Sequence, residues 1–208
     1  MILRLVAADE VMLADGRVAW TTKAANGSPA LTLVGWKMGP SEWMRAAPEG
    51  LLLEFGVATG KSFNELCRNA HPRVVYGFDW WGGLPHDWNP YDVRGALKCE
   101  KPVPPPNGVL IEGLFSDTLE EFLGVYSGPV AFAHIDCDLY CASAYVLHCL
   151  MDRFVAGSIV AFDEIEQWDG ERQAWNRYLA KSGQRWELIG KQHAWGEVYR
   201  RENNVLRS

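Results

Sequence analysis

At 208 residues the chain is long enough for one domain with a sizeable buried core. Its 48% hydrophobic and 22% charged composition excludes a disordered chain, and a net charge of −6 excludes a global basic field that would recruit nucleic acid. No apolar run approaches the roughly 20 residues of a membrane span, so neither nucleic acid nor a membrane is expected as a partner.

Residues 1–48 mix apolar and polar positions with Gly and Pro punctuation, and are expected to form short strands or helices capping one end of a sheet. The opening MILRLVAADE is broken by charge too early for a secretory leader. From residue 50 onward, short apolar runs alternate with amphipathic stretches. LLLEF (51–55) predicts a strand, followed by the glycine-containing GVATG and a helical SFNELCRNA. VVYGFDW (74–80) predicts a second strand. Residues 81–108 are too rich in proline and glycine for a long helix, and a loop of that length after a strand end predicts a lid or substrate-binding insert. VLIEG (109–113) is the third strand, and SDTLEEFLGV reads as a helix opened by a Ser or Asp cap. PVAFAHID (129–136) is the fourth, followed by a helical pattern from Asp138 through Phe154; GSIVAFDE (157–164) is the fifth. A helix around Glu171–Lys181 precedes a closing strand pair in RWELIG and AWGEVYR. Continuous apolar strands separated by helices indicate an α/β domain with a mostly parallel sheet covered on both faces, one domain over 1–208. The five cysteines (Cys67, Cys99, Cys137, Cys141, Cys149) are odd in number and lack CxxC spacing, which predicts reduced thiols and a cytoplasmic protein.

Ligands of open α/β sheets bind beyond the carboxyl ends of the strands, near the point where strand order reverses. Each of the five strands delivers an acid or a small-residue turn to that edge: Glu54 with GVATGKS, Asp79, Phe115-Ser116-Asp117, Asp136 with Asp138, and Asp163 with Glu164. GVATGKS is one residue short of the phosphate loop GxxxxGK[ST], and Ala58 stands where a dinucleotide fingerprint requires glycine. The turn therefore argues against a phosphate ligand. Asp79, 25 residues after Glu54, lies near the separation at which a second-strand carboxylate reaches ribose hydroxyls. Two carboxylates suit a nucleoside that carries a positive charge and no phosphate; the bland alternative is that both only cap helices. Asp136, Asp163 and Glu164 form a second group that would repel unless protonated, paired with a basic side chain or bridged by a hard cation such as Mg²⁺.

The segments LLLEFGVATGKSFNEL, VYGFDWWGGLP, EGLFSDTL, HIDCDLYCASAYVL and GSIVAFDEIEQW span roughly residues 50–170. In this order they resemble the macrocin O-methyltransferase family, metal-dependent class I enzymes that use S-adenosylmethionine to methylate sugar hydroxyls. The resemblance implies a Rossmann-like, seven-stranded, mostly parallel sheet with helices on both faces. It places Glu54, Gly56, Val57, Gly60 and Ser62 along the methionine and ribose end of the donor, Asp79 and Trp80 at the ribose, and Phe115 and Ser116 at the adenine. Asp136, Asp163 and Glu164 would hold Mg²⁺, with Asp136 also near the donor; Glu164 replaces a more usual Asp. The insert after GGLP is shorter than in the family, which leaves the acceptor unaligned.

The expected chemistry is in-line methyl transfer to the hydroxyl of a small-molecule acceptor, a sugar or natural product, with Asp136 beside the reacting groups. His86 in the insert and His134 on the fourth strand are the histidines placed to accept a proton, His134 with the stronger structural reading. The rival readings are a nucleotide-binding hydrolase and a non-catalytic relative that keeps the pocket. Self-association into a homo-oligomer is left open by the sequence.

Overall fold

The computed structural model describes residues 6–12, 18–23, 29–37, 39–167, 170–193 and 195–203, the first three segments by their backbone alone. Among the described residues ten strands and five helices follow in chain order: β1 (Val6–Met12), β2 (Val18–Lys23), β3 (Pro29–Lys37), α1 (Pro40–Arg45), β4 (Leu51–Phe55), α2 (Lys61–Ala70), β5 (Val75–Asp79), β6 (Gly108–Glu112), α3 (Phe115–Val125), β7 (Val130–Ile135), α4 (Tyr140–Leu150), β8 (Phe154–Phe162), α5 (Gly170–Ser182), β9 (Trp186–Lys191) and β10 (Glu197–Arg201). They form one sheet in the order β1-β2-β3-β9-β10-β8-β7-β4-β5-β6.

The central strands carry apolar side chains on both faces because helices cover both. Leu53 and Phe55 of β4 belong to a cluster with Leu119 and Phe122 of α3, Val146 and Leu147 of α4, and Trp175 of α5. The preceding Leu52 packs on the other face with Trp43 and Met44 of α1 and Phe63 and Leu66 of α2. Burying each such side chain contributes about 1.5–3 kcal/mol, which explains why these strands read as unbroken apolar runs. Pairings of β4 with β5 and β7, of β5 with β6, and of β7 with β8 are parallel. Strand β10 runs antiparallel to both β8 and β9, closing the α/β core. The seven strands β4–β10 are thus the expected Rossmann-like sheet.

Three details depart from the sequence reading. Residues 1–48 supply three strands that extend the sheet past β9, in addition to α1. The expected helical pattern stops at Leu150; Phe154 opens β8, where it packs edge-on against Trp186 and Tyr178. Helix α3 starts at Phe115, one residue before the Ser and Asp expected to cap it, and its N-cap is Leu114 with no side-chain bond. Gly113 at φ +146° and Leu114 in extended geometry turn the chain early, so Ser116 and Asp117 fall inside the first turn. The segment between β5 and β6 contains neither helix nor strand. It is nonetheless internally tied, with the amide of Leu84 donating to the carbonyl of Ala96 (2.8 Å) and that of Gly95 to Leu84 (2.8 Å).

Phe55 joins the core to the helix layer by stacking on Phe78 at 5.0 Å and meeting Phe115 edge-on at 5.5 Å. Phe55→Ala is expected to lower unfolding free energy by about 3–5 kcal/mol in urea titration. A loss below about 1 kcal/mol would show that these rings do not carry the core.

Candidate functional site

Strand order reverses between β4 and β7: from β4 the chain moves outward through β5 and β6, then returns to the other side of β4 as β7. The turn after β4 enters this crevice. Its first residue, Gly56, has φ +90°, and a Cβ placed there would lie 1.8 Å from the carbonyl oxygen of Asp136. Only glycine permits that approach. The parallel ladder also continues one residue past the strands, with Gly56 N–H donating to Phe78 O at 3.0 Å and Asp136 N–H to Phe55 O at 2.9 Å. The glycine turn and Asp136 are therefore fixed against each other at the switch point.

Asp79 holds the other side of the turn. Its Oδ2 accepts from the amides of Val57 (2.8 Å) and Ala58 (2.7 Å), and its Oδ1 accepts from the amide of Trp81 (2.9 Å). Trp81 returns the contact by donating Nε1–H to the carbonyl of Ala58 at 2.8 Å. These bonds satisfy Ala58 in its strained positive-φ conformation, φ +46°. Helices α2, α3 and α4 begin after β4, β6 and β7 respectively, and none has a side-chain cap on its N-terminus. Their first-turn N–H groups are donors without a side-chain partner at this edge, the usual provision for a polar ligand.

Beneath the turn lies a buried ion pair. Glu54 is fully buried, and its Oε1 stands 2.9 Å from Nδ1 of His134 on the neighbouring strand. Burial pushes the His134 imidazole down, but the Glu54 hydrogen bond and charge, with Asp136 and Asp163, outweigh it and raise its pKa to about 9. Two atoms of the pair, Glu54 Oε2 and His134 Nε2, have no hydrogen-bond partner. His134 Nε2 lies 4.0 Å from Oδ1 of Asp163, which in turn is 3.1 Å from Nε2 of His193. Burial would raise the Asp163 carboxyl, yet the His193 bond and the two histidine charges hold it below its ordinary value.

The neighbouring acids behave in the opposite way. Burial first, then Asp163, drives Asp136 well up; burial and the charges of Glu164 and Asp163 raise Asp138 to about 7. Glu164 and Glu171 are raised chiefly by burial too, and each has an unpartnered buried Oε2. Register places Asp136 beside Asp163, since Ile135 pairs with Phe162. Even so, no group of three or more His, Cys, Asp or Glu among the described residues is disposed to hold a metal ion. The expected set Asp136, Asp163 and Glu164 does not form such a group, and Oδ1 of Asp163 lies 3.1 Å from Nε2 of His193 instead.

The other expected residues are spread along the same edge or lie outside it. Val57 and Gly60 are buried in the turn, Gly60 as the N-cap of α2 at φ +84°, where a Cβ would meet Pro102 of the insert at 3.0 Å; Ser62 lies in the first turn of that helix. Glu54 is fully buried and its Oε1 meets His134. Trp80 is exposed, while Phe115 faces Phe55 and Ser116 bonds Asp117. His86 is exposed and has no hydrogen-bond or ion-pair partner among the described residues, so it does not join the acids. Three contributors were absent from the sequence reading. His193 sits in the β9–β10 turn, remote in sequence from Asp163; Glu171 reaches back from α5 to accept from the Cys137 amide at 3.2 Å; Asp92 of the insert adds its charge to Asp138 and Glu164. Only the position of His193 between two predicted strands could have marked it.

Residues 53–165 match a family model described as a methyltransferase domain. No curated protein matches the chain. Among solved structures, the calicheamicin methyltransferase CalS11 is similar at 24% identity and a TM-score of 0.64, over 77% of this chain and 75% of that one. The O-methyltransferase NovP is similar at 18% and 0.58, over 78% of each chain. MycE, a methyltransferase of mycinamycin biosynthesis solved with Mg and S-adenosylhomocysteine (SAH), is similar at 11% and 0.51, over 79% of this chain and 48% of its own. Identities this low establish a shared fold.

The His134 shift has a definite sign. Its folded pKa, about 9, exceeds the ordinary 6.5, so its stabilisation is complete below about pH 6.5 and is lost as the pH rises through 9. Thermal melts are expected to lose several degrees across that window, on the order of 2 kcal/mol, and His134→Gln should flatten the loss. An identical pH profile for wild type and variant would contradict the charged assignment.

Proposed function

Since the chain belongs to the methyltransferase domain family, we propose that it transfers the methyl group of S-adenosylmethionine to a hydroxyl oxygen of a small molecule. The observation that carries this reading is the glycine turn locked against Asp136 at the switch point, with three helix N-termini beside it free of side-chain caps. That seat suits a nucleoside and an amino-acid carboxylate, and lacks the loop length a triphosphate needs. When bound, the donor supplies an electrophilic methyl on a sulfonium. The chain's own residues do the rest. Gly56, Val57 and Gly60 shape the seat, Asp79 keeps the turn in its strained form, and the backbone of Asp136 backs the turn at Gly56.

The proton acceptor on this reading is His193 rather than His86. Asp163 accepts the Nε2–H of His193, which directs its basic lone pair to Nδ1. The amide of Trp195 now reaches Nδ1 at a long 3.3 Å and would give way to an acceptor hydroxyl. A hydroxyl seated there would pass its proton to Nδ1 of His193, and Asp163 would stabilise the resulting imidazolium. Mg²⁺ does not fit the carboxylates as they stand, and no step is routed through it. A sugar or natural-product hydroxyl as acceptor, a closer kinship with the macrocin group, one functional domain over 1–208, a cytoplasmic setting and self-association complete the proposal. Among the described residues no helix is long and apolar enough to cross a membrane.

Calorimetric titration with SAH tests the reading without an identified acceptor. Binding is expected equally in EDTA and in Mg²⁺, with none for ATP, and Asp79→Ala should weaken it at least tenfold by releasing the turn. Absence of SAH binding would overturn the proposal. Binding that appears only with Mg²⁺ would overturn its metal-free seat.

A further inference from the structure

The proposed proton-accepting pair is divided between two turns that are distant in sequence. Asp163 lies at the start of the turn after β8, and His193 in the turn between β9 and β10. The β8–β10 ladder, with Glu197 opposite Phe162, brings the two turns side by side but does not itself set the side chains within them. The turns nevertheless press together: a Cβ on Gly196 would lie 2.8 Å from the carbonyl of Phe162 and 2.9 Å from that of Asp163. The amide of Glu166 donates to the carbonyl of Trp195 at 3.1 Å, and Gln192 Nε2 donates to the carbonyl of Phe162 at 2.9 Å.

One side chain joins both turns to the helix behind them. Arg172, in the first turn of α5, donates Nη2–H to Glu166 of the first turn and to Glu197 (2.7 Å), where β10 leaves the second. Its Nη1 donates to the hydroxyl of Tyr199 at 3.0 Å, and that hydroxyl donates to Glu197. Glu197 is 3% exposed, so this network works largely away from water, where charge-assisted bonds are strong and an unpaired member is costly. A single guanidinium thus answers two carboxylates. Burial raises the Glu166 carboxyl, whereas Glu197 is held down against its burial by Arg172. Removing Arg172 would take away the cation that ties both carboxyls to α5 and leave the two turns without that shared anchor.

We propose that Arg172 is a positioning residue for the transfer reaction: by clamping Glu166 and Glu197 it sets Asp163 against His193, without itself touching donor or acceptor. The inference rests on the proposed role of the Asp163–His193 pair. It assigns a functional task to a network that lies outside the cofactor seat. A Lys at the position keeps one charge but cannot bridge two carboxylates with a planar fork, so its effect should be intermediate.

Two measurements on the full chain test this, and neither needs an acceptor. Hydrogen–deuterium exchange of Arg172→Gln is expected to quicken at least tenfold in peptides covering 163–167 and 192–196. Exchange in β4 and β7 and the affinity for SAH should stay within twofold of wild type, and Arg172→Lys should recover part of the protection. Two-bond proton–nitrogen spectra should show the ring nitrogens of His193 moving toward free-imidazole values while those of His134 stay in place. General destabilisation would not produce that selective shift. Where Arg172→Gln fails to fold, Glu166→Ala cuts only the link to the first turn and should give the same local pattern. Unchanged exchange and His193 shifts would overturn the proposal, as would loosening spread evenly over the sheet. Failure of wild type to bind SAH would instead sink the methyl-transfer reading, and the exchange pattern would still decide whether Arg172 couples the two turns.

Discussion

Gly56 lets the turn after β4 lie against the carbonyl of Asp136, at a distance no side chain would tolerate. The functional edge depends on this close approach, because it joins the first and fourth strands of the parallel core where their connections diverge. With the turn seated there, Val57 and Ala58 point their amides at Asp79, Trp81 closes over Ala58, and Gly60 begins α2. Moving any of these would move the others. The seat is thus preorganised by backbone contacts rather than by flexible side chains, which lowers the ordering cost of binding.

Charge is the second organising constraint. Glu54 and His134 form a fully buried pair directly beneath the seat, and the surrounding acids respond according to their partners. Asp163, beside two histidines, is held below its ordinary value; Asp136, Asp138 and Glu171 are raised, chiefly by burial and in Asp136 despite the charge of His134. Environments that split similar carboxyls in this way are characteristic of sites that handle protons or cations. The Arg172 network repeats the device farther out, with one cation shared between Glu166 and Glu197.

Much of this was legible in the sequence because it follows from local pattern. Apolar runs at 51–55, 74–80, 129–136 and 157–164 read as strands covered on both faces, and the missing residue in GVATGKS argued against a phosphate loop before any geometry was known. The acids at the strand ends were likewise visible. Their pairing was not. Whether Asp163 would join Asp136 and Glu164 or turn to a histidine depends on the β9–β10 turn, which arrives from thirty residues away in the chain. His86 looked suitable because the insert follows a strand end, yet nothing local tied it to the acids. Short strands or helices were expected before residue 48, but mixed composition hid the strands' joining the sheet at β9, and α3 began one residue early because Gly113 turned the chain before Ser116 could cap it.

The central claim is that the seat between β4 and β7 receives the donor. Amide chemical-shift mapping with saturating SAH addresses it residue by residue. The account predicts that the large shifts gather at 56–62, 79–81, 113–117 and 136–138, on the carboxyl edge of the parallel strands. Shifts that instead cluster on the outer faces of α4 and α5, leaving Gly56 and Asp136 unmoved, would contradict it.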